Sequence, residues 1–161
     1  MPSILDHCND APIERYDSDA ILIEEGHWSG RLFVLVDGEV EVLRGGTSVA
    51  VIAEAGSIFG EMSVLLDLPH TATVRARTPV TVRAPENATV FLRQHPEIAF
   101  YLARLLAQRL NAATTYLVDV KRQYEGHGDH LGMVGEVLEA LTNQQRREFT
   151  LGPDRSDDPR V

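Results

Sequence analysis

The chain has 161 residues, enough for one domain of ordinary size, and carries 15 basic against 24 acidic side chains, a net charge of −9. So acidic a chain lacks the clustered Lys and Arg on which affinity for a phosphate backbone rests, and nucleic acid is not an expected partner. Cys8 is the only cysteine, which excludes an intrachain disulfide, a thiolate zinc site and a four-cysteine cluster, and fits a reduced, cytoplasmic location.

The first ten residues have neither a basic stretch nor a long apolar one, so they do not read as a signal peptide. No run approaches the roughly 18 uninterrupted apolar residues of a membrane span, and no membrane partner is expected.

Residues 13–84 read as strands. The run 20–23 is short and apolar and ends at Glu24-Glu25-Gly26; a second run covers 31–36. Asp37-Gly38 then signals a tight turn between two strands. Residues 39–42 alternate polar and apolar, as a half-buried strand does, Gly45-Gly46 marks another turn, and 48–53 is the next strand. Ala72, Val74 and Ala76 alternate with Thr73, Arg75 and Arg77, and Pro79 reverses the chain into 80–83. Strands this short, with turns this frequent, point to a β sandwich or jelly roll. Trp28, between Gly26 and Gly30, is expected to pack on it.

Residues 86–124 read as helix. A short helix over 87–94 is stopped at His95 and restarted by Pro96, which suits a first helical position. No Gly or Pro follows until after Tyr124, and Leu102, Leu106, Leu110, Ala113, Leu117, Val120 and Tyr124 form a sustained apolar seam. A helix of that length, roughly 44 Å at about 1.5 Å per residue, exceeds what a small β core covers. The surplus predicts a homodimer through this helix. Beyond it, Gly126, Gly128 and Gly132 loosen the chain, 131–141 has the pattern of one short helix, and the Pro-interrupted end is expected to be a flexible tail. The expected division is therefore 1–124 and 125–161. His127 and His130 have no companion ligands and are not read as a metal site.

The chemistry concentrates in residues 56–74. Gly56 ends a strand, and Gly60 permits close backbone approach before the helix-compatible stretch 61–66. Glu61 is the only charge there. Backbone amides beside such a turn favour an anion, whereas a carboxylate does not. A carboxylate does suit a sugar hydroxyl, which it can accept. His70 and Thr71 add donors.

Phe59-Gly60-Glu61-Met62-Ser63-Val64-Leu65-Leu66, followed by Pro69-His70-Thr71-Ala72-Thr73-Val74-Arg75-Ala76, resembles the phosphate-binding cassette of cyclic nucleotide-binding domains. That family includes catabolite-activator-type regulators, kinase regulatory subunits and cyclic-nucleotide-gated channels. The likeness extends to Gly26, 34–36 and 38–40, and covers about residues 13–124. It implies a mainly β jelly roll (a double-stranded β-helix) with flanking helices and a long C-terminal helix, binding cAMP or cGMP. It implies that Glu61 accepts the ribose 2′-hydroxyl, that amides around Gly60, Met62 and Ser63 face the cyclic phosphate beside Phe59, and that Thr71, next to Ala72, faces it too. The long helix closes over the purine, and Thr114, with Thr115 beside it, stands where polar residues reach the base. Arg109 sits one turn earlier.

One position departs from the pattern. The family usually has Arg where this chain has His70. Arg offers a permanent charge and forked donors; neutral His offers one donor and no charge. Loss of a charge-assisted hydrogen bond corresponds to roughly 10- to 100-fold in affinity.

Two functions follow from these readings. The first is a cyclic nucleotide sensor that moves its C-terminal helix and signals to a protein partner. The alternative is a degenerate member that keeps the roll and helix for dimerisation or docking and binds no nucleotide. The 37 residues after Tyr124 are too few and too acidic for a winged helix-turn-helix module, so direct transcription control is not expected. An enzyme is not expected either: His27 and His70 stand alone without a cupin-type ligand set, and no nucleophile–base arrangement is visible.

Overall fold

The structure is a computed structural model and describes residues 3–124 and 130–148. Eight short strands precede the helical region: β1 (Ile13–Tyr16), β2 (Ile21–Ile23), β3 (Phe33–Asp37), β4 (Val40–Arg44), β5 (Thr47–Ile52), β6 (Ile58–Phe59), β7 (Thr73–Ala76) and β8 (Val80–Arg83). The helices are α1 (Glu61–Leu66), α2 (Ala88–Gln94), α3 (Pro96–Gln123) and α4 (His130–Glu148), and a single 3₁₀ turn covers Ile4–His7. The chain falls into two units, Met1–Arg104 and Leu105–Val161.

The strands form two antiparallel sheets, in the orders β1-β8-β3-β6 and β2-β7-β4-β5. Only β4 and β5 are consecutive neighbours within one sheet; the other connections cross between sheets, and the result is the expected jelly roll. The turn at Gly45-Gly46 is therefore a true hairpin. Asp37-Gly38 instead carries the chain from one sheet to the other. Gly38 has φ +94°, and a Cβ there would lie 2.3 Å from the Pro79 carbonyl oxygen, so only Gly fits this corner.

Period-two alternation sends one side of each strand into the space between the sheets. Phe33, Leu35, Phe59, Val80 and Val82 from one sheet meet Ile23, Val40, Val74 and Ala76 from the other in one buried cluster. Phe33 and Phe59 are register partners, and their rings stack at 5.4 Å. Leu32 and Val34 are also fully buried, so this part of the first sheet is covered on both faces. The outer face of the second sheet is wet, and register partners Glu41 and Arg75 form an ion pair there at 2.7 Å. The Arg75 guanidinium, with help from Ser48, holds the Glu41 carboxyl below the usual carboxylate range.

The helices start where the sequence places them. Asn87 caps α2 by accepting from the Val90 N–H at 3.0 Å. Helix α3 begins at Pro96, whose missing N–H has no partner to lose. Ile98 and Leu102 are buried, Leu106, Leu117 and Val120 are half-buried, and Leu110, Ala113 and Tyr124 are exposed. Helix α4 is longer than the 131–141 expected, because 142–148 is polar but contains neither Gly nor Pro. Gly126, His127, Gly128 and the expected tail lie outside the described residues. Trp28 is 59% exposed, so it is not buried against the roll as expected. Among the described residues no helix is long and apolar enough to cross a membrane.

This account of the core predicts that Leu35→Ala costs about 2–5 kcal/mol in urea denaturation. Val49→Ala, on the exposed strand β5, should cost under about 1 kcal/mol. Equal costs at the two positions would contradict the assigned core.

Candidate functional site

The segment from β6 through α1 to the start of β7 is built around one backbone contact. Gly60 adopts φ +86° and ψ 0°, left-handed values. A Cβ at this position would stand 2.5 Å from the Arg31 carbonyl oxygen. An L side chain is therefore refused on both counts, and the chain turns from β6 into α1 against the segment before β3.

Helix α1 opens with Glu61, which is only 5% exposed. Burying a carboxylate is costly unless it is hydrogen-bonded or paired. Among the described residues, the buried polar or charged side chains are Glu61, Ser63 and His70, all within ten positions of one another. None of the buried side-chain nitrogen and oxygen atoms described lacks a partner. The Ser63 hydroxyl donates to the Leu68 carbonyl, and the Leu68 N–H returns to the Ser63 carbonyl at 3.3 Å. Asp67 ends α1 in a left-handed conformation, its N–H donating to the same Ser63 carbonyl. The loop after α1 is thus closed on itself before it reaches Pro69.

His70 is tied to the loop between β2 and β3. Its N–H donates to the His27 carbonyl at 2.9 Å, and the Gly26 N–H donates to the His70 carbonyl at 2.8 Å. Its Nε2 forms a short hydrogen bond with Ser29 Oγ. Burial pushes the His70 pKa down, toward the neutral imidazole. That works against the protonated, phosphate-pairing form. One turn of backbone further on, the Glu25 N–H donates to Thr73 Oγ1 at 3.1 Å.

The expected site residues fall into two groups. Phe59, Gly60, Glu61, Met62, Ser63, His70, Thr71 and Ala72 belong to the first unit, where Gly60 and His70 both touch the 26–31 segment. Phe59 is buried beneath, Met62 and Thr71 are exposed, and Ala72 is half-buried. Arg109 and Thr114 lie on α3 in the second unit, Arg109 exposed and Thr114 half-buried. Ser29 escaped the sequence reading, because a serine in a Gly-rich loop carries no signal of its own. A separate cleft of about 380 Å³, lined by Asp10, Asn87 and Phe91 among others, includes none of these residues. Among the described residues no three His, Cys, Asp or Glu side chains are placed to hold a metal ion.

A depressed histidine pKa has a definite sign in stability. The unfolded chain binds the proton more readily, so the contribution of neutral His70 is complete above about pH 6.5, the ordinary histidine value, and is lost as pH falls below it. Denaturation at pH 7.5 and 5.5 should show wild type losing more stability on acidification than His70→Gln. An identical loss in both proteins would remove His70 as its source.

Comparison with known proteins bears on the same segment. Residues 13–91 match the family model described as the cyclic nucleotide-binding domain. The cAMP-dependent protein kinase regulatory subunit of Schizosaccharomyces pombe is 30% identical over 90 residues, covering 50% of this chain and 22% of that protein. The cGMP-dependent protein kinase of Caenorhabditis briggsae is 28% identical over 131 residues, covering 74% of this chain and 17% of that protein. The chain thus spans about a fifth of the length of the curated relatives it matches. The crystal structure of the Thermus thermophilus catabolite activator protein shares the fold, with a TM-score of 0.61 at 23% identity, over 95% of this chain and 88% of that one. Residues 13–91 are thus the part of the chain that matches the cyclic nucleotide-binding domain family.

Proposed function

We propose that this chain is a cyclic nucleotide sensor: it binds cAMP or cGMP in the first unit and passes the event to a protein partner through α3. The observation that carries the reading is the gathering of buried polar side chains in 61–70, within the segment that matches the family. A buried carboxylate next to a left-handed glycine is costly to keep in a fold that uses the position only for packing. The family match and the cAMP- and cGMP-dependent kinases among its relatives support the ligand class.

In this reading Glu61 accepts the ribose 2′-hydroxyl. The backbone around Gly60, Met62 and Ser63, with Thr71 and Ala72, receives the cyclic phosphate, and Phe59 supports the turn from below. Thr114 and Arg109 are the residues of α3 proposed to answer to the ligand. The proposed partners are an unidentified protein and a second copy of the chain docked along α3, and the proposed location is the cytoplasm. The free energy available for signalling is the ligand's differential affinity for two positions of α3, and no more.

A thermodynamic cycle tests the role of Glu61 by titration calorimetry. Glu61→Ala should weaken cAMP or cGMP binding about 10- to 100-fold, the equivalent of one lost charge-assisted hydrogen bond. The 2′-deoxy ligand should be weakened by a similar factor in wild type, with no further loss in Glu61→Ala. Additive losses would mean that Glu61 does not hold the ribose hydroxyl, and no binding of either nucleotide at millimolar concentration would leave only the docking module.

A further inference from the structure

The ladder of β1 and β8 runs out at two prolines. Ile13 pairs with Arg83, and the Ala84 N–H donates to the Pro12 carbonyl at 2.9 Å. Pro12 and Pro85 have no N–H, so neither can donate a further rung. The two stretches part there, one toward the N-terminal 3₁₀ turn and the other into α2. The cleft of about 380 Å³ opens between them.

Both walls of the cleft are held in place. Arg83 donates to the Ala11 carbonyl at 2.8 Å and to the Asn9 carbonyl at 3.4 Å. His95 Nε2 pairs with Asp10 at 3.0 Å, and Nδ1 donates to the Phe91 carbonyl at 2.8 Å. The His95 ring also lies 4.3 Å from that of Phe91. A groove fixed in this way needs little ordering when a guest enters it.

Its floor and its rim differ in chemistry. Ala11 and Phe91 are buried, Val90 is 45% exposed, and the two prolines add further carbon surface. The charged side chains that line the cleft are Asp10 and Glu86, both acidic and both exposed, and no Lys or Arg joins them. Asp10 is shared with His95, whereas Glu86 has no ion-pair partner among the described residues. Apolar walls under a rim of one sign suit a guest with a carbon stem and a positive tip. An Arg or Lys side chain between apolar neighbours presents that combination. An acidic or phosphorylated guest meets like charge instead.

We propose that the cleft between residues 10–12 and α2 is a docking site for a basic segment, flanked by apolar residues, of a partner protein. The lining ends at Gln94, two positions before Pro96 opens α3, so a guest there sits beside the start of the helix proposed to carry the signal. The inference gives the chemistry of the partner in the sensor reading, and rests on that reading only for what the docking is used for.

The test is solution NMR of the full chain, without nucleotide, titrated with acetyl-Leu-Arg-Leu amide. The control peptide carries citrulline, an uncharged isostere, in place of the arginine. Amide signals of residues 10–11 and 86–94 should shift, and the citrulline peptide should bind at least about threefold more weakly. Glu86→Gln, a change at an exposed side chain, should weaken the arginine peptide about two- to fivefold, the range of one exposed ion pair, and leave the citrulline peptide unchanged. Equal binding of the two peptides by wild type, or no shift in these residues at about 10 mM peptide, overturns the inference. Calorimetry with cAMP and cGMP on the same sample separates the two readings. Nucleotide binding without peptide binding overturns the docking site alone, and peptide binding without nucleotide binding overturns the sensor while the docking site stands.

Discussion

The candidate site hangs on a place where two backbones touch. The Arg31 carbonyl occupies the space a side chain would need at residue 60, and Gly60 turns left-handed beneath it. Because of that contact, β6 can end after two residues and α1 can begin at once, with Glu61 at its first position and turned into a buried setting. The same strip of chain, 26–31, receives His70 at its other end. The β2–β3 connection therefore grips the cassette at both ends, and either grip holds the other in register.

Burial of polar groups explains why this segment matters. A jelly roll needs only apolar side chains between its sheets, and this one has them from Ile23 to Ala84. Glu61, Ser63 and His70 add nothing to that core, and each needs a partner to be tolerated. Ser63 and His70 use theirs to shape loops. In the proposed reading the Glu61 carboxylate is the group that accepts a ribose hydroxyl. A sensor of the proposed kind responds to its ligand only as far as that ligand prefers one arrangement of the chain over another.

Much of the fold was legible because its strands alternate cleanly. Val40, Val42 and Val74 mark their faces at period two, and the turns at Gly38 and Gly45-Gly46 separate them. Strand β1 was harder to delimit, since Ile13-Glu14-Arg15-Tyr16 has one apolar residue at each end and owes its conformation to pairing with β8. Strand β6 is two residues long and exists only as a partner of β3. No sequence pattern distinguishes such a strand from a loop. In the site, Gly60 and Glu61 were visible because a residue type with special geometry stands next to an isolated charge. The partner of His70 was not, because Ser29 is 41 positions away and any of several hydroxyls would have looked as good. The helical seam was legible as a period, but its surroundings were not: the same repeat is buried at Leu102 and exposed at Leu110.

The most direct test of the central claim, that residues 59–72 form the ligand site, is amide hydrogen exchange of the full chain with and without saturating cAMP or cGMP. Exchange reads local opening segment by segment. The account predicts slowing of more than about tenfold across 59–72, with a smaller effect in the 26–31 loop tied to it, and none in β5. Unchanged exchange in 59–72 under conditions where either nucleotide is bound would contradict it.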